Sequence, residues 1–301
     1  MKISQANINK FMKVKPDLTV EDVLKTLPSW LHNLHNTFLP RIVNKLAPRR
    51  SWNHKIELIL GKDPLYLKNR PMSSQELSIV QKWLDDNLSK GFIWESRAWY
   101  AAPLLLAAKP GGGVRVFQDY RGLNNVTIKN RYPLPLIRET LDALCYTKFY
   151  TKLDIIVAFN NIRIAEGHEW KTAFITRFGL FEMLVMPFRL YNAPASFQHY
   201  INHVLFDLLD RFCTAYLDKV LVYSATRKEH REHVREIVRR LREAGLQIDI
   251  TKCDFETNRT KYLRLIITPE GIQMDPAKVA TIKKWKNPPL CTGIAKILGI
   301  C

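Results

Sequence analysis

Tyr216-Leu217-Asp218-Lys219 decides how the rest of this chain is read. Phe212 to Leu217 leads in as an apolar run and Val220-Leu221-Val222-Tyr223 leads out, so the tetrapeptide reads as the tip of a β-hairpin. Upstream, Thr151-Lys152-Leu153-Asp154-Ile155 reads as a second buried strand that ends in a carboxylate. Two carboxylates on adjacent strand ends suit a pair of hard, oxygen-seeking cations held roughly 3.5–4 Å apart for phosphoryl transfer. A lone Asp at a strand end is more often structural, so the neighbouring segments carry the decision.

Those segments come in a fixed order: Gln118-Asp119-Tyr120-Arg121-Gly122-Leu123-Asn124, Asn130-Arg131-Tyr132-Pro133-Leu134-Pro135, Thr151-Lys152-Leu153-Asp154 and Lys171-Thr172-Ala173-Phe174. Met186-Pro187-Phe188, Asn192-Ala193-Pro194-Ala195-Ser196-Phe197-Gln198 and Tyr216-Leu217-Asp218 follow. The series resembles the reverse transcriptase of gypsy-type LTR retrotransposons, over residues 52 to 300. The resemblance implies an α+β chain with the right-hand polymerase fold: fingers, a palm built as a ferredoxin-like antiparallel sheet with helices, and a partial thumb, as in a degenerate, C-terminally truncated copy. Expected divisions are a linker or N-terminal extension at 1–51, fingers with the start of the palm at 52–148, palm with part of the fingers inserted at 149–257, and a primer-grip hairpin with incomplete thumb at 258–301.

The resemblance also implies RNA-directed DNA synthesis, a nucleotidyltransfer reaction on deoxynucleoside triphosphates with RNA or DNA template and primer as partners. Asp154 and Asp218 match the catalytic carboxylates and, with Ile155, the positions that hold Mg²⁺ or Mn²⁺. Lys109 and Arg115 match residues that touch the triphosphate, a task the Arg fork suits. Phe159 stands where an aromatic ring lies under the sugar, although by itself it reads as an ordinary core Phe. Phe188 and Arg189 fall beside the nucleotide pocket.

Three positions depart from the family pattern. Lys219 replaces a second Asp, and Arg189 and Arg264 each replace a glycine. At roughly 6 Å and an effective dielectric near 20, each charge–dication interaction is several kcal/mol, so Lys219 is expected to weaken metal binding by orders of magnitude. Its ammonium is expected between Asp154 and Asp218. A glycine serves where backbone takes a positive φ or approaches a ligand, so Arg189 is expected to crowd template or nucleotide. Together these predict an impaired or inactive copy, a pseudoenzyme. The alternative is a non-catalytic nucleic-acid-binding protein with the inherited basic cleft.

Composition agrees with a polyanionic partner. The 301 residues carry a formal charge of +18, and 47% are hydrophobic, ample for a sizeable core. Five widely spaced cysteines include no Cys-x-x-Cys, so neither a zinc ribbon nor a disulfide framework is supported, and a reducing compartment, cytoplasm or nucleus, fits best. His230 and His233 sit among Arg and Glu and read as a solvated helix face. Neither a signal-peptide core nor an 18-residue apolar run is present, so no membrane association is expected. The oligomeric state is left open.

Local signals place the elements. Trp30, Leu31, Leu34, Phe38 and Leu39 predict a short amphipathic helix closed by Pro40, and Ile56 to Leu60 a strand broken by Gly61. Ser73-x-x-Glu76 has capping-box spacing ahead of Leu77, Val80, Leu84 and Leu88, predicting a helix that ends at Lys90 before Gly91. Leu104 to Ala108 and Val114 to Phe117 flank Lys109-Pro110-Gly111-Gly112-Gly113 as a hairpin. Helix is expected at 136–144 and strands at 160–164, 172–176 and 181–185. Asn192 reads as a helix cap before Pro194, with Gln198 and Asn202 off the apolar stripe of Phe197, Ile201, Val204, Leu205 and Leu208. Arg227 to Ala244 reads as a basic helix closed by Gly245. The resemblance implies that Lys261 to Leu265 belongs to the hairpin that steadies the primer terminus, and a thumb-like helix is expected from Asp275 through Ile282 and Trp285.

Overall fold

The computed structural model describes residues 4–13, 18–40, 44–109, 111–136, 144, 147–263, 265–276 and 279–280. Arg264, the helix expected at 136–144 apart from its ends, and the thumb-like helix beyond 280 lie outside the described residues.

Helices α1 (Gln5–Met12), α2 (Val20–Thr26) and α3 (Ser74–Ser89) precede the first strands. The sequence signal for α3 is realised in full. The Ser73 side chain accepts from the Glu76 amide, Glu76 reaches back to the Ser73 amide, and Gly91 takes φ +68 beyond the Lys90 cap. Its buried side, Ile79, Val80 and Leu84, seats the helix on a mixed sheet.

That sheet comprises β1 (Ile93–Glu95), β2 (Ala102–Ala108), β3 (Val114–Gln118), and, after α4 (Arg121–Val126) and β4 (Phe149–Asp154), β5 (Phe174–Thr176) and β6 (Gly179–Met183). Its order is β1-β6-β5-β2-β3, with β2 and β5 parallel. The glycines at 111, 112 and 113 all take positive φ, which closes the β2–β3 hairpin where a Cβ-bearing residue would be strained.

Helix α5 (Ala193–Val204), strands β7 (Cys213–Tyr216) and β8 (Lys219–Ser224), helix α6 (Arg227–Glu243) and strand β9 (Asp254–Thr257) complete the palm with β4. The chain order is strand-helix-strand-strand-helix-strand and the sheet order β7-β8-β4-β9, antiparallel throughout, which is the ferredoxin-like arrangement. A third sheet, β10 (Thr260–Tyr262), β11 (Leu265–Thr268) and β12 (Gly271–Met274), packs Tyr262 and Ile267 on the opposite palm face.

Side-chain alternation divides the palm sheet. Leu153, Val220 and Val222 face α5 and α6 and join Phe197, Ile201, Val234 and Val238 in the main core. Tyr150, Leu221 and Tyr223 face the other way. Asp154 and Lys219, two residues along from Lys152 and Leu221, therefore share that second face.

Several expectations are corrected. Residues 56–60 form no strand; His54 and Leu58 make only isolated bridges to Ile164 and Thr127, and between them the Ile56 amide donates to the His168 ring and its carbonyl accepts from Lys171 in place of a neighbouring strand. Residues 160–164 begin in a short 3₁₀ turn, Ala158–Asn161, with bridges only at Arg163 and Ile164. The strand expected at 172–176 starts after a 3₁₀ turn ending at Thr172, and the one expected at 181–185 runs 179–183. Ser29–Phe38 is a 3₁₀ helix, and its Leu31 and Phe38 are fully buried in the main core beside α6. His230 is wholly buried, not solvated: its ring bonds Thr151 Oγ1 at 2.7 Å and Ser224 Oγ at 3.0 Å, tying α6 to β4 and β8. His233 stacks on Phe212 at 3.9 Å. Among the described residues no helix is long and apolar enough to cross a membrane.

Candidate active site

The β7–β8 turn holds Leu217 at φ +53 and Asp218 at its second position, a positive φ at the first position being the mark of a type II′ hairpin turn. Leucine is costly there, and Gln198 secures it. The Gln198 side chain, fully buried on α5, donates to the Ala215 carbonyl at 2.9 Å and accepts from the Leu217 amide at 2.8 Å. Gln198 lies off the apolar stripe, as expected, and that side of α5 is buried too. The Asp218 carbonyl accepts from the Ile155 amide at 2.7 Å, fixing the turn against the end of β4.

Register then places the charges. Asp154 is paired directly with Lys219 across β4 and β8, and directly opposed residues present their side chains on one face. The Lys219 ammonium donates to Asp218 Oδ1 at 2.9 Å and lies 3.8 Å from Asp154 Oδ2. A second ammonium, Lys252, comes from a 3₁₀ turn after α6 and contacts Asp154 Oδ1 at 3.2 Å and Asp249 Oδ2 at 2.8 Å. Burial works against the Asp249 carboxylate, but the hydrogen bonds from Lys252 and Thr251 outweigh it and hold its pKa below the ordinary value.

A cleft of about 650 Å³ opens above this floor, between the palm edge and the β2–β3 hairpin. Lys109, Arg115, Asp154, Ile155, Phe159, Phe188 and Asp218 all line it. Phe159 is half-buried, its ring 5.2 Å from Phe188 and 5.8 Å from Phe197, so it belongs at once to the core and to the cleft wall. Arg189 lies to one side, in a 190 Å³ cavity shared with Ala107, Ala108 and Phe117. Its guanidinium sits 3.6 Å over the Phe117 ring and its backbone takes φ +74. Asn124 clamps that turn, donating to the Arg189 carbonyl and accepting from the Tyr191 amide, both at 2.8 Å.

Supporting residues explain two further details. Asn192 occupies the position ahead of α5 but makes no capping bond; its side chain instead donates to the Ile128 carbonyl and accepts from the Asn130 amide. Asp119 is buried between Arg121 and Arg70, and the Arg121 hydrogen bonds hold its carboxyl below the usual range. Lys252 and, from α1, Phe11 in the cleft wall had no local sequence signal, and the motif that ends in Gln198 did not show that its side chain is buried.

The donor set does not suit a pair of divalent cations. Among the described residues no group of three or more His, Cys, Asp or Glu converges on a point, and each carboxylate of the Asp154–Asp218 pair is already in contact with an ammonium. A cation entering between them would meet two positive charges at contact range, so no reaction step is assigned to a metal here.

Comparison with known proteins agrees with this architecture. Foamy viral protease-reverse transcriptase in complex with RNA/DNA hybrid superposes with a TM-score of 0.76 at 19% identity, over 96% of this chain and 40% of that one. The foamy viral protease-reverse transcriptase dRH in complex with double-stranded DNA gives 0.78 at 19% identity, over 97% and 54%. The shared fold is therefore the right-hand polymerase fold. The Tf2-3 and Tf2-4 transposon polyproteins of Schizosaccharomyces pombe are 29% identical over 294 residues, 98% of this chain but only 22% of each polyprotein. Residues 107–267, more than half of the chain and the span that contains the cleft floor, match the model of one family. The chain belongs to the reverse transcriptase (RNA-dependent DNA polymerase) family.

Proposed function

We propose that this chain is the reverse transcriptase domain of a gypsy-type retrotransposon polyprotein in which template-directed DNA synthesis has been silenced while the substrate cleft is retained. One observation carries the reading: the Lys219 ammonium, 2.9 Å from Asp218 and 3.8 Å from Asp154, sits on the carboxylates the family uses for chemistry. Mg²⁺ or Mn²⁺ binding at Asp154, Ile155 and Asp218 is correspondingly weakened. Lys109 and Arg115 face the triphosphate, Phe159 the sugar, and Phe188 with Arg189 stands beside the nucleotide pocket. The palm at 149–257 and fingers at 52–148 grip primer and template, as the complexes of the foamy viral relatives suggest.

Primer extension on RNA and DNA templates, with Mg²⁺ or Mn²⁺, tests the reading. The chain as it stands is expected to give no product above a no-protein control, and the triple variant Arg189→Gly, Lys219→Asp, Arg264→Gly to recover extension. Clear extension by the unaltered chain would overturn it. Primer–template binding is expected to persist and to weaken with salt in proportion to the phosphates contacted, as the +18 charge favours.

A further inference from the structure

We propose that the cleft takes the triphosphate chain of a nucleotide as a bare anion, without a divalent cation, the Lys219 ammonium supplying the positive charge at its floor. The inference rests on the reading of this cleft as a nucleotide site and adds to it a ligand form that a family donor set would not accept.

Charge is the first argument. Lys90, Lys109, Arg115 and Lys252 line the cleft against Asp86, Asp154 and Asp218, and Lys219 at the floor makes five cations against three carboxylates. An Asp at position 219 would leave four of each sign. At the floor the two ammoniums offset Asp154 and Asp218, so the cleft lining as a whole is biased toward an anion, and a dication meets the bias in reverse.

Donor capacity is the second. An ammonium has three N–H donors. Lys219 commits one to Asp218, since Asp154 at 3.8 Å is beyond hydrogen-bond range, and Lys252 commits two, to Asp154 and Asp249. Both side chains reach solvent, at 37% and 59% exposure, so the remaining N–H groups are available to phosphate oxygens. Across the cleft Arg115 is exposed, makes no ion pair among the described residues, and stands opposite Ala107 on β2, a side chain with no acceptor to engage it. A fork on one wall and two ammoniums on the floor make a phosphate-binding arrangement that needs no metal bridge.

Calorimetric titration of the full chain with a deoxynucleoside triphosphate, in EDTA and in Mg²⁺, tests this, with inorganic tripolyphosphate as competitor. Affinity in EDTA is expected to equal or exceed that in Mg²⁺, and tripolyphosphate to compete. Lys219→Asp is expected to lose at least tenfold in EDTA and to regain affinity with Mg²⁺. Lys219→Gln, which adds no carboxylate and is checked for folding by circular dichroism, is expected to lose several-fold in EDTA. Binding that requires Mg²⁺, no competition by tripolyphosphate, or unchanged EDTA affinity in both variants overturns the proposal. If nucleotide fails to bind under either condition while primer–template still binds, only this inference falls. If primer–template fails as well, the reading of the cleft falls with it.

Discussion

The amide of Leu217 is held by the side chain of Gln198, 2.8 Å away and completely shielded from water. That single bond, with its companion to the Ala215 carbonyl, makes a helix responsible for the shape of a hairpin turn. Gln198→Ala strands a buried donor and a buried acceptor, so it is expected to destabilise the fold by about 2–4 kcal/mol. Chemical denaturation measures the loss. Amide exchange at Leu217 is expected to rise more than exchange in β4, whose ladder remains intact.

Arg189 presents two opposing effects. Its left-handed backbone costs about 1–2 kcal/mol, and its stack over Phe117 returns roughly 0.5–1 kcal/mol. Arg189→Gly removes both and is expected to lie within about 1 kcal/mol of the parent. Arg189→Ala loses the stack and keeps the strain, so the Gly variant is expected to be more stable than the Ala variant by about 1 kcal/mol. Thermal unfolding of the two side by side checks the order; the reverse order would mean that the turn is not strained.

Two buried histidines set the acid limit. Burial pushes the pKa of both His54 and His230 down to about 4, with His168 adding to the effect at His54. Each ring is neutral in the folded chain and takes up a proton on unfolding below about pH 6.5. The stability they contribute is therefore complete above pH 6.5 and is lost as pH falls toward 4, by roughly 3 kcal/mol for each ring. Denaturation midpoints at pH 7 and pH 5 should differ accordingly, and His230→Gln should flatten the difference.

Lys219 and Lys252 share Asp154. Lys219→Met or Lys252→Met alone leaves the half-buried site one ammonium, so each is expected to cost under about 1 kcal/mol. The double variant leaves Asp154 buried without a cation, and its cost is expected to exceed the sum of the singles by about 1 kcal/mol or more. A double-mutant cycle from urea titrations reads this coupling directly; strict additivity would argue that the two lysines act apart.

Features written in a few consecutive residues were legible in the sequence. The Ser73–Glu76 box, the glycine turn of the β2–β3 hairpin and the close of α6 at Gly245 rest on local backbone preferences, and the hairpin around Asp218 showed through the two apolar runs that flank it. What escaped was set by packing over long separations. Gln198 is off the apolar stripe yet buried, because α5 is covered on more than one side and its apolar face understates what it hides. Leu31 and Phe38 showed as an apolar face in the sequence, but residues 29–38 could not reveal that this face covers α6 in the main core. Lys252 reaches Asp154 from another part of the chain, so the fourth partner of the floor was invisible until the strands were aligned.

The pairing of β4 with β8 has a consequence for how this scaffold changes over time. The bond from the Ile155 amide to the Asp218 carbonyl is backbone to backbone and indifferent to which side chain follows. Position 219 can thus exchange one sign of charge for the other while the sheet keeps its shape, so a single codon acts as a polarity switch that leaves the architecture standing.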